Sequence, residues 1–105
     1  MITRNDDNIN ETIKENDFVI VQFGASWCYP CKQLKPKVEQ IALDFLNVTF
    51  VYCDIDATMA FSQEMKVMSV PTLIAFHIGT EVDRVVGSNE AAVRSLVENL
   101  LAGAN

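Results

Sequence analysis

The chain alternates short apolar runs of strand length with a stretch that has the periodicity of a helix, and this order constrains the fold most. Residues 18–23 are β-branched and aromatic, apolar on both faces apart from Gln22, and residues 48–53 form a second apolar run. Such runs are typical of strands that are buried on both faces of a sheet. Between them, apolar residues recur at spacings of three and four, which predicts a helix over 30–46. A buried sheet follows from this pattern.

The rest of the chain completes an α/β pattern. The remaining predicted elements are short helices near 6–16 and 57–65, two strands at 71–78 and 81–86 joined around Gly79, and a closing helix with Val93, Leu96, Val97, Leu100 and Leu101 on one face, Ser88 as N-cap and Gly103 beyond its end. This order predicts an α/β fold with a central mixed β-sheet flanked by helices on both faces. A chain of 105 residues is long enough for one domain over 1–105.

Composition excludes several classes of partner. Eight Lys and Arg residues against fourteen Asp and Glu give a net charge of −6, and the positive residues are scattered, so nucleic acid is a poor partner. The longest apolar runs are far shorter than a membrane span. Residues 1–7 lack the apolar core of a secretory signal, and their acids are unlike a transit peptide. We therefore expect a cytoplasmic protein that binds neither nucleic acid nor membrane.

The segment Trp27-Cys28-Tyr29-Pro30-Cys31 places two cysteines where the first predicted strand meets the predicted helix. Residues three apart on a helix share a face, so the two sulfurs can reach disulfide distance without refolding of the backbone. Cys28 would lie at the positive end of the helix dipole, which lowers the pKa of a thiol and favours the nucleophilic thiolate. The pair therefore predicts a reversible, redox-active disulfide.

The alternatives for the cysteines are weaker. A purely structural or inert disulfide remains a second interpretation of the pair. A zinc site needs four ligands, and only Cys53 and His77 remain as candidates, neither of them at ligand spacing. Because Cys53 lies within an apolar strand, we predict a packed, unreactive thiol there. The odd count of three cysteines also argues against a disulfide framework.

Four motifs in order resemble the thioredoxin family, and the match covers essentially the whole chain. The family's tryptophan-cysteine-x-proline-cysteine-lysine signature matches 27–32, its helix proline matches Pro36, its residue before a cis proline matches Val70 ahead of Pro71, and its later glycines match Gly79 and Gly87. The resemblance implies the thioredoxin fold. It also implies a thiol–disulfide oxidoreductase that reduces protein disulfides.

The resemblance assigns roles to residues. Cys28 would attack a substrate disulfide and Cys31 would resolve the mixed disulfide. A shallow contact surface would hold the substrate backbone, with Pro71 in cis, and consists of Trp27, Tyr29, Pro30, Val70, Pro71 and Gly87. No cofactor beyond the Cys28–Cys31 disulfide is implied. The expected partners are thioredoxin reductase, which would supply electrons from NADPH, and clients such as peroxiredoxin, ribonucleotide reductase or methionine sulfoxide reductase, for a monomer or weak dimer.

The departures from the family pattern concern the tuning of the site. Gln22 stands where thioredoxins usually carry a buried Asp, and Tyr52 stands where they usually carry a Lys. Losing both members of a buried ion pair is tolerated better than losing one, because a lone buried charge costs several kcal/mol. Gly24 replaces a frequent tryptophan and Tyr29 a frequent glycine, whereas Lys32 is retained. We expect Gln22, Tyr52 and Lys32 to tune the cysteine pair.

These departures leave two further functions open. One is a specialised or non-catalytic binding module that holds a partner on the contact surface without thiol chemistry. The other is a more oxidising disulfide oxidase or isomerase, because the sequence does not fix a reduction potential. Retention of both cysteines and of Lys32 favours the reductase.

Overall fold

The computed structural model describes residues 1–103, which contain every predicted helix and strand and one additional strand. The elements are β1 (Ile2–Thr3), α1 (Ile9–Glu15), β2 (Phe18–Gly24), α2 (Tyr29–Ala42), β3 (Thr49–Asp54), α3 (Met59–Glu64), β4 (Thr72–His77), β5 (Thr80–Val86) and α4 (Glu90–Ala102). β1 was not predicted from the sequence; it has only two residues and pairs with β3 through backbone hydrogen bonds.

The strands form one mixed sheet in the order β1-β3-β2-β4-β5. β3 is parallel to both β1 and β2, whereas β4 is antiparallel to β2 and to β5. The central position of β2 explains its continuous apolar run, because both of its faces and both of its edges are covered. The expected mixed central sheet is confirmed.

Two hydrophobic cores lie on opposite faces of the sheet. Apolar residues of α2 and α4 pack on one face against Ile20 of β2, and those of α1 and α3 pack on the other face against Val21. Adjacent strand residues point to opposite faces, which is why Ile20 and Val21 belong to different cores. The prediction of helices on both faces is therefore confirmed. Gln22 lies on the same face as Ile20 and is directed toward α2.

Two predicted helix ends are wrong by a few residues. α2 ends at Ala42 rather than near residue 46, because turns follow it in which Phe45 donates its N–H to the Ala42 carbonyl at 3.2 Å. Phe45 still packs against the core, which explains its helical spacing in the sequence. The N-cap of α4 is Asn89 and not Ser88, since the Asn89 side chain accepts the Ala92 N–H at 3.0 Å.

The β4–β5 hairpin turns through Ile78 and Gly79, whose φ angles are 48° and 81°. Two successive positive φ values match the right-handed twist of the flanking strands. The prediction of a positive φ at Gly79 is confirmed. Ile78 adopts the left-handed region as well, where a β-branched residue is strained.

Candidate active site

The two cysteines lie at the start of α2 and form a disulfide, with their Cα atoms 5.3 Å apart. Cys28 is the N-cap residue, and its Sγ accepts the Cys31 N–H at 3.3 Å. Lys32 closes the first turn by donating its N–H to the Cys28 carbonyl at 3.2 Å. Pro30 occupies the first turn, where its missing N–H is not needed. The prediction that the pair reaches disulfide distance at a helix N-terminus is confirmed.

The cysteines differ in access to solvent. Cys28 keeps 5% of its surface exposed, whereas Cys31 is fully buried. Both sulfurs lie in a small apolar cluster with Ala25, against which Ile55 and Val70 pack. An incoming group therefore reaches Cys28 before it reaches Cys31.

The segment before β4 brings the predicted cis proline to the cysteines. The Val70–Pro71 peptide bond is cis, as the resemblance implied, and the Val70 carbonyl oxygen lies 3.8 Å from Cys28 Sγ. Gly87 donates its N–H to the Pro71 carbonyl at 2.9 Å, with a φ angle of 108° that suits glycine. The chain folds so that Val70, Pro71 and Gly87 adjoin one another beside the disulfide.

Trp27 and Tyr29 are largely exposed on either side of Cys28 in the chain, at 67% and 61% of their surfaces. The indole Nε1–H of Trp27 donates to Asp56 Oδ2 at 3.3 Å, and the Tyr29 hydroxyl accepts from Gln33 Nε2 at 3.0 Å. Asp56 was not predicted as a partner of Trp27, because nothing in the sequence signals a hydrogen bond between residues 29 positions apart. The bond holds the Trp27 ring toward the loop that follows β3.

Gln22 is fully buried and lies beside Cys31. Its Nε2–H donates to the Cys31 carbonyl at 3.5 Å, and among the described residues its Oε1 has no hydrogen-bond partner. Tyr52 is the register partner of Gln22 on β3, so the two side chains lie on the same face. The two departures from the family pattern are thus neighbours in the sheet.

Tyr52 is half-buried and lies close to charged residues. Burial raises the pKa of the Tyr52 hydroxyl, and the negative charge of Asp54 raises it further; Cys53 adds to this only at a pH high enough to ionise its thiol. Lys35 Nζ lies 4.6 Å from the centre of the Tyr52 ring, within the range of a cation–π contact. Tyr52 therefore stays neutral at physiological pH.

Cys53 is a buried free thiol on the α1 and α3 face of the sheet. Burial raises the pKa of Cys53 to about 12; the Asp6 carboxylate also raises it, and Arg4 lowers it. A thiol with so high a pKa is protonated and unreactive at neutral pH. The prediction of a packed thiol is confirmed.

Within residues 1–103, no group of three or more His, Cys, Asp or Glu side chains is placed to hold a metal ion. Over the same stretch, no helix has the length and apolar character needed to cross a membrane. His77, the remaining ligand candidate, stacks on the Phe18 ring with centroids 5.0 Å apart.

The sequence matches the profile of the thioredoxin family over residues 1–99. The chain belongs to the thioredoxin family. A thioredoxin of Echinococcus granulosus is 38% identical to it over 92 residues, which cover 88% of this chain and 86% of that relative. A second relative, thioredoxin-2 of Saccharomyces cerevisiae, is 40% identical over 79 residues, or 75% of this chain and 76% of that one.

Solved structures show the same fold. The structure of Plasmodium falciparum thioredoxin matches with a TM-score of 0.89 at 30% identity, covering 93% of this chain and 96% of that one. A structure concerning the thiol resolving mechanism of a yeast mitochondrial 1-Cys peroxiredoxin via glutathione/thioredoxin systems matches with a TM-score of 0.88 at 26% identity, covering 94% of each chain.

Membership in the thioredoxin family defines the class of chemistry. Its members are thiol–disulfide oxidoreductases that act on disulfide-containing client proteins and need no cofactor beyond the redox-active disulfide. The Cys28–Cys31 pair, at disulfide distance and fitting the family's active site, supports protein disulfide oxidoreductase activity.

Proposed function

We propose that this thioredoxin-family protein reduces protein disulfides, with Cys28 as nucleophile and Cys31 as resolving thiol. The Cys28 thiolate attacks one sulfur of the client disulfide, forms a mixed disulfide and releases the other client sulfur as a thiolate. Cys31 then loses its proton and attacks Cys28 Sγ, which releases the second client sulfur. Two electrons pass from the dithiol to the client, and the Cys28–Cys31 disulfide remains.

The roles of the two cysteines are proposed because their sulfurs differ in exposure and in hydrogen bonding. Cys28 is the more exposed cysteine, and its Sγ accepts the Cys31 N–H at 3.3 Å at the helix N-terminus. Both the N–H and the helix dipole stabilise a thiolate at this position. Cys31 is fully buried and can attack only a disulfide that already includes Cys28.

The client's backbone binds on the contact surface of Trp27, Tyr29, Pro30, Val70, Pro71 and Gly87. The Val70 carbonyl supports this role, because it lies 3.8 Å from Cys28 Sγ and can accept a hydrogen bond from a client N–H. The exposed rings of Trp27 and Tyr29 supply apolar contact area around it. Gln22, Tyr52 and Lys32 tune the reactivity of the pair.

The oxidised protein returns to the dithiol through thioredoxin reductase with electrons from NADPH. The proposed clients are peroxiredoxin, ribonucleotide reductase and methionine sulfoxide reductase, and the structural likeness to a chain from the peroxiredoxin study supports the first. We place the protein in the cytoplasm as one thioredoxin-like domain over 1–105, a monomer or weak dimer. Imaging of a tagged full chain, and its elution volume at several concentrations, test these placements.

The test of the activity is reduction of insulin by catalytic amounts of protein, with dithiothreitol as electron source. We expect rapid precipitation with the wild type and background rates with Cys28→Ser, whose hydroxyl is a poor nucleophile. Background rates with both proteins would contradict a general reductase. Client capture that survives Cys28→Ser and Cys31→Ser together would favour the binding module, and net oxidation of a reduced client by the disulfide form would favour the oxidase.

A further inference from the structure

A bulge in β5 brings two oppositely charged residues to one face of the sheet. The register between β4 and β5 shifts between Ala75 and Phe76, which leaves Val82 as an extra residue on β5. Residues three apart on a regular strand point to opposite faces, but the extra residue reverses this. Glu81 and Arg84 therefore both lie on the face that carries α3.

The guanidinium of Arg84 is fixed by Glu81. Its Nε–H donates to Glu81 Oε2 and its Nη2–H donates to Glu81 Oε1, both at 2.7 Å. About a third of each side chain is exposed, at 31% for Arg84 and 29% for Glu81. Two parallel hydrogen bonds to one carboxylate set the plane of the guanidinium, which a lysine ammonium cannot reproduce.

Arg84 uses this fixed geometry to hold the end of α3. Its Nη2 also donates to the Met65 carbonyl at 2.8 Å, 19 residues away in the chain. The next two residues donate to carbonyls within α3: the Lys66 N–H to Gln63 at 3.1 Å and the Val67 N–H to Ser62 at 2.9 Å. The Met65 carbonyl lies at the C-cap of α3, where carbonyls lack an intrahelical partner, and Arg84 supplies a hydrogen bond to it.

The chain between Met65 and β4, residues 66–71, carries the backbone that faces the disulfide. We call it the 66–71 segment. At its far end, Gly87 of the chain after β5 donates to the Pro71 carbonyl at 2.9 Å. Between these two anchors lies Val70, whose carbonyl is 3.8 Å from Cys28 Sγ. Arg84 of β5 and Gly87 after β5 thus anchor the 66–71 segment at its two ends.

We infer that Arg84 is a positioning residue for disulfide exchange with protein clients: oriented by Glu81, it fixes the 66–71 segment through the Met65 carbonyl and so holds the Val70 carbonyl beside Cys28. The inference rests on the proposed function and deepens it. A protein client needs the backbone of the 66–71 segment as well as the sulfur. A small disulfide needs only access to Cys28 Sγ.

The test compares two substrates, insulin and bis(2-hydroxyethyl) disulfide, in Arg84→Gln and in a matched control. The control is Arg94→Gln, which makes the same side-chain change and breaks the exposed Arg94–Asp44 pair of 3.0 Å on the other face. In Arg84→Gln we expect kcat/KM for insulin to fall about fivefold relative to that for the small disulfide, mainly through KM, as the typical net contribution of one hydrogen bond suggests. The ratio in Arg94→Gln should equal that of the wild type.

Two further variants keep the inference falsifiable if Arg84→Gln folds poorly. Arg84→Lys keeps the positive charge but not the two parallel hydrogen bonds, and it should lower the ratio of kcat/KM for insulin to kcat/KM for the small disulfide less than Arg84→Gln does. Glu81→Gln weakens the hold on the guanidinium and should also lower this ratio. Amide hydrogen exchange over 66–70 should be faster in these variants than in the wild type or Arg94→Gln.

The outcomes are distinct. A wild-type substrate ratio in folded Arg84→Gln, or unchanged exchange over 66–70, overturns the role of Arg84. An inactive wild type on both substrates overturns the proposed function instead, and the exchange measurement still decides whether Arg84 holds the segment.

Discussion

The hydroxyl of Tyr52 occupies the space that a side chain on Gly24 would need. A Cβ atom built on Gly24 would lie 2.5 Å from the Tyr52 hydroxyl oxygen and 3.0 Å from two ring carbons. Gly24 ends β2, and Tyr52 lies on the adjacent parallel strand, two positions before the register partner of Gly24. The two departures from the family pattern at these positions are therefore coupled by packing.

We predict that Gly24→Ala lowers the free energy of unfolding by about 1–3 kcal/mol, because the new methyl group overlaps the Tyr52 ring. Urea denaturation measures the change. In a Tyr52→Ala background the same substitution should cost much less, so the double-mutant cycle should show a coupling energy. Strictly additive effects would mean that Tyr52 does not limit the size of residue 24.

For Gln22→Asp we predict faster resolution of the mixed disulfide by Cys31, by at least about tenfold, because a carboxylate can accept the Cys31 proton and an amide cannot. Stability should fall, since the new carboxylate would be buried without a partner. Single-turnover release of a client thiol from a preformed Cys28 mixed disulfide measures the step directly.

The control for that experiment is Gln22→Leu, which fills the site without an acceptor. Because Gln22 Oε1 lacks a partner among the described residues, this substitution should leave stability unchanged or raise it. Equal resolving rates in Gln22→Asp and wild type would show that a carboxylate at this position is dispensable.

The buried Cys53 thiol makes the folding stability of the protein fall at alkaline pH. Its pKa is about 12 in the fold against 9.0 for an exposed thiol, so the unfolded chain loses this proton first as the pH rises. The stabilisation is complete below pH 9, then declines and is lost as the pH passes through about 12. Denaturation midpoints from pH 8 to 11 should fall less steeply in Cys53→Ala, and a parallel decline would contradict this assignment.

The same burial predicts selective alkylation. In the reduced native protein at pH 8, iodoacetamide should modify Cys28 first and leave Cys53 intact until denaturant is added, because alkylation needs an accessible thiolate. Mass spectrometry of the peptides measures the order. Rapid native labelling of Cys53 would show that the β3 region opens far more readily than its packing indicates.

Asp56→Ala should loosen the indole of Trp27 and raise KM for insulin about threefold, because the Nε1–H loses its carboxylate acceptor. Since Trp27 is the only tryptophan, its fluorescence anisotropy reports the loosening without interference. Glu98→Ala, which removes an exposed acid from α4, is the control for net charge. An unchanged anisotropy in Asp56→Ala would mean that the bond does not restrain the ring.

Local patterns were sufficient to predict most of the architecture. The apolar runs of β2 and β3, the spacing of apolar residues in α2 and the glycine of the hairpin each reflect a short-range requirement of burial or backbone conformation. The two cysteines could be found for the same reason, since their spacing on one helix turn is enough to bring the sulfurs together. β1 escaped detection because two residues carry no periodicity.

The parts of the site that depend on distant pairs were accessible only from the fold. Three contacts join different elements: the hydrogen bond from Trp27 to Asp56, the hydrogen bond from Arg84 to the Met65 carbonyl, and the packing of Tyr52 against Gly24. Even the closest of these pairs is separated by 19 residues of chain, so no local spacing encodes it. The sequence thus specified which chemistry the cysteine pair performs, while the packing of β3, α3 and β5 set the surroundings in which it occurs.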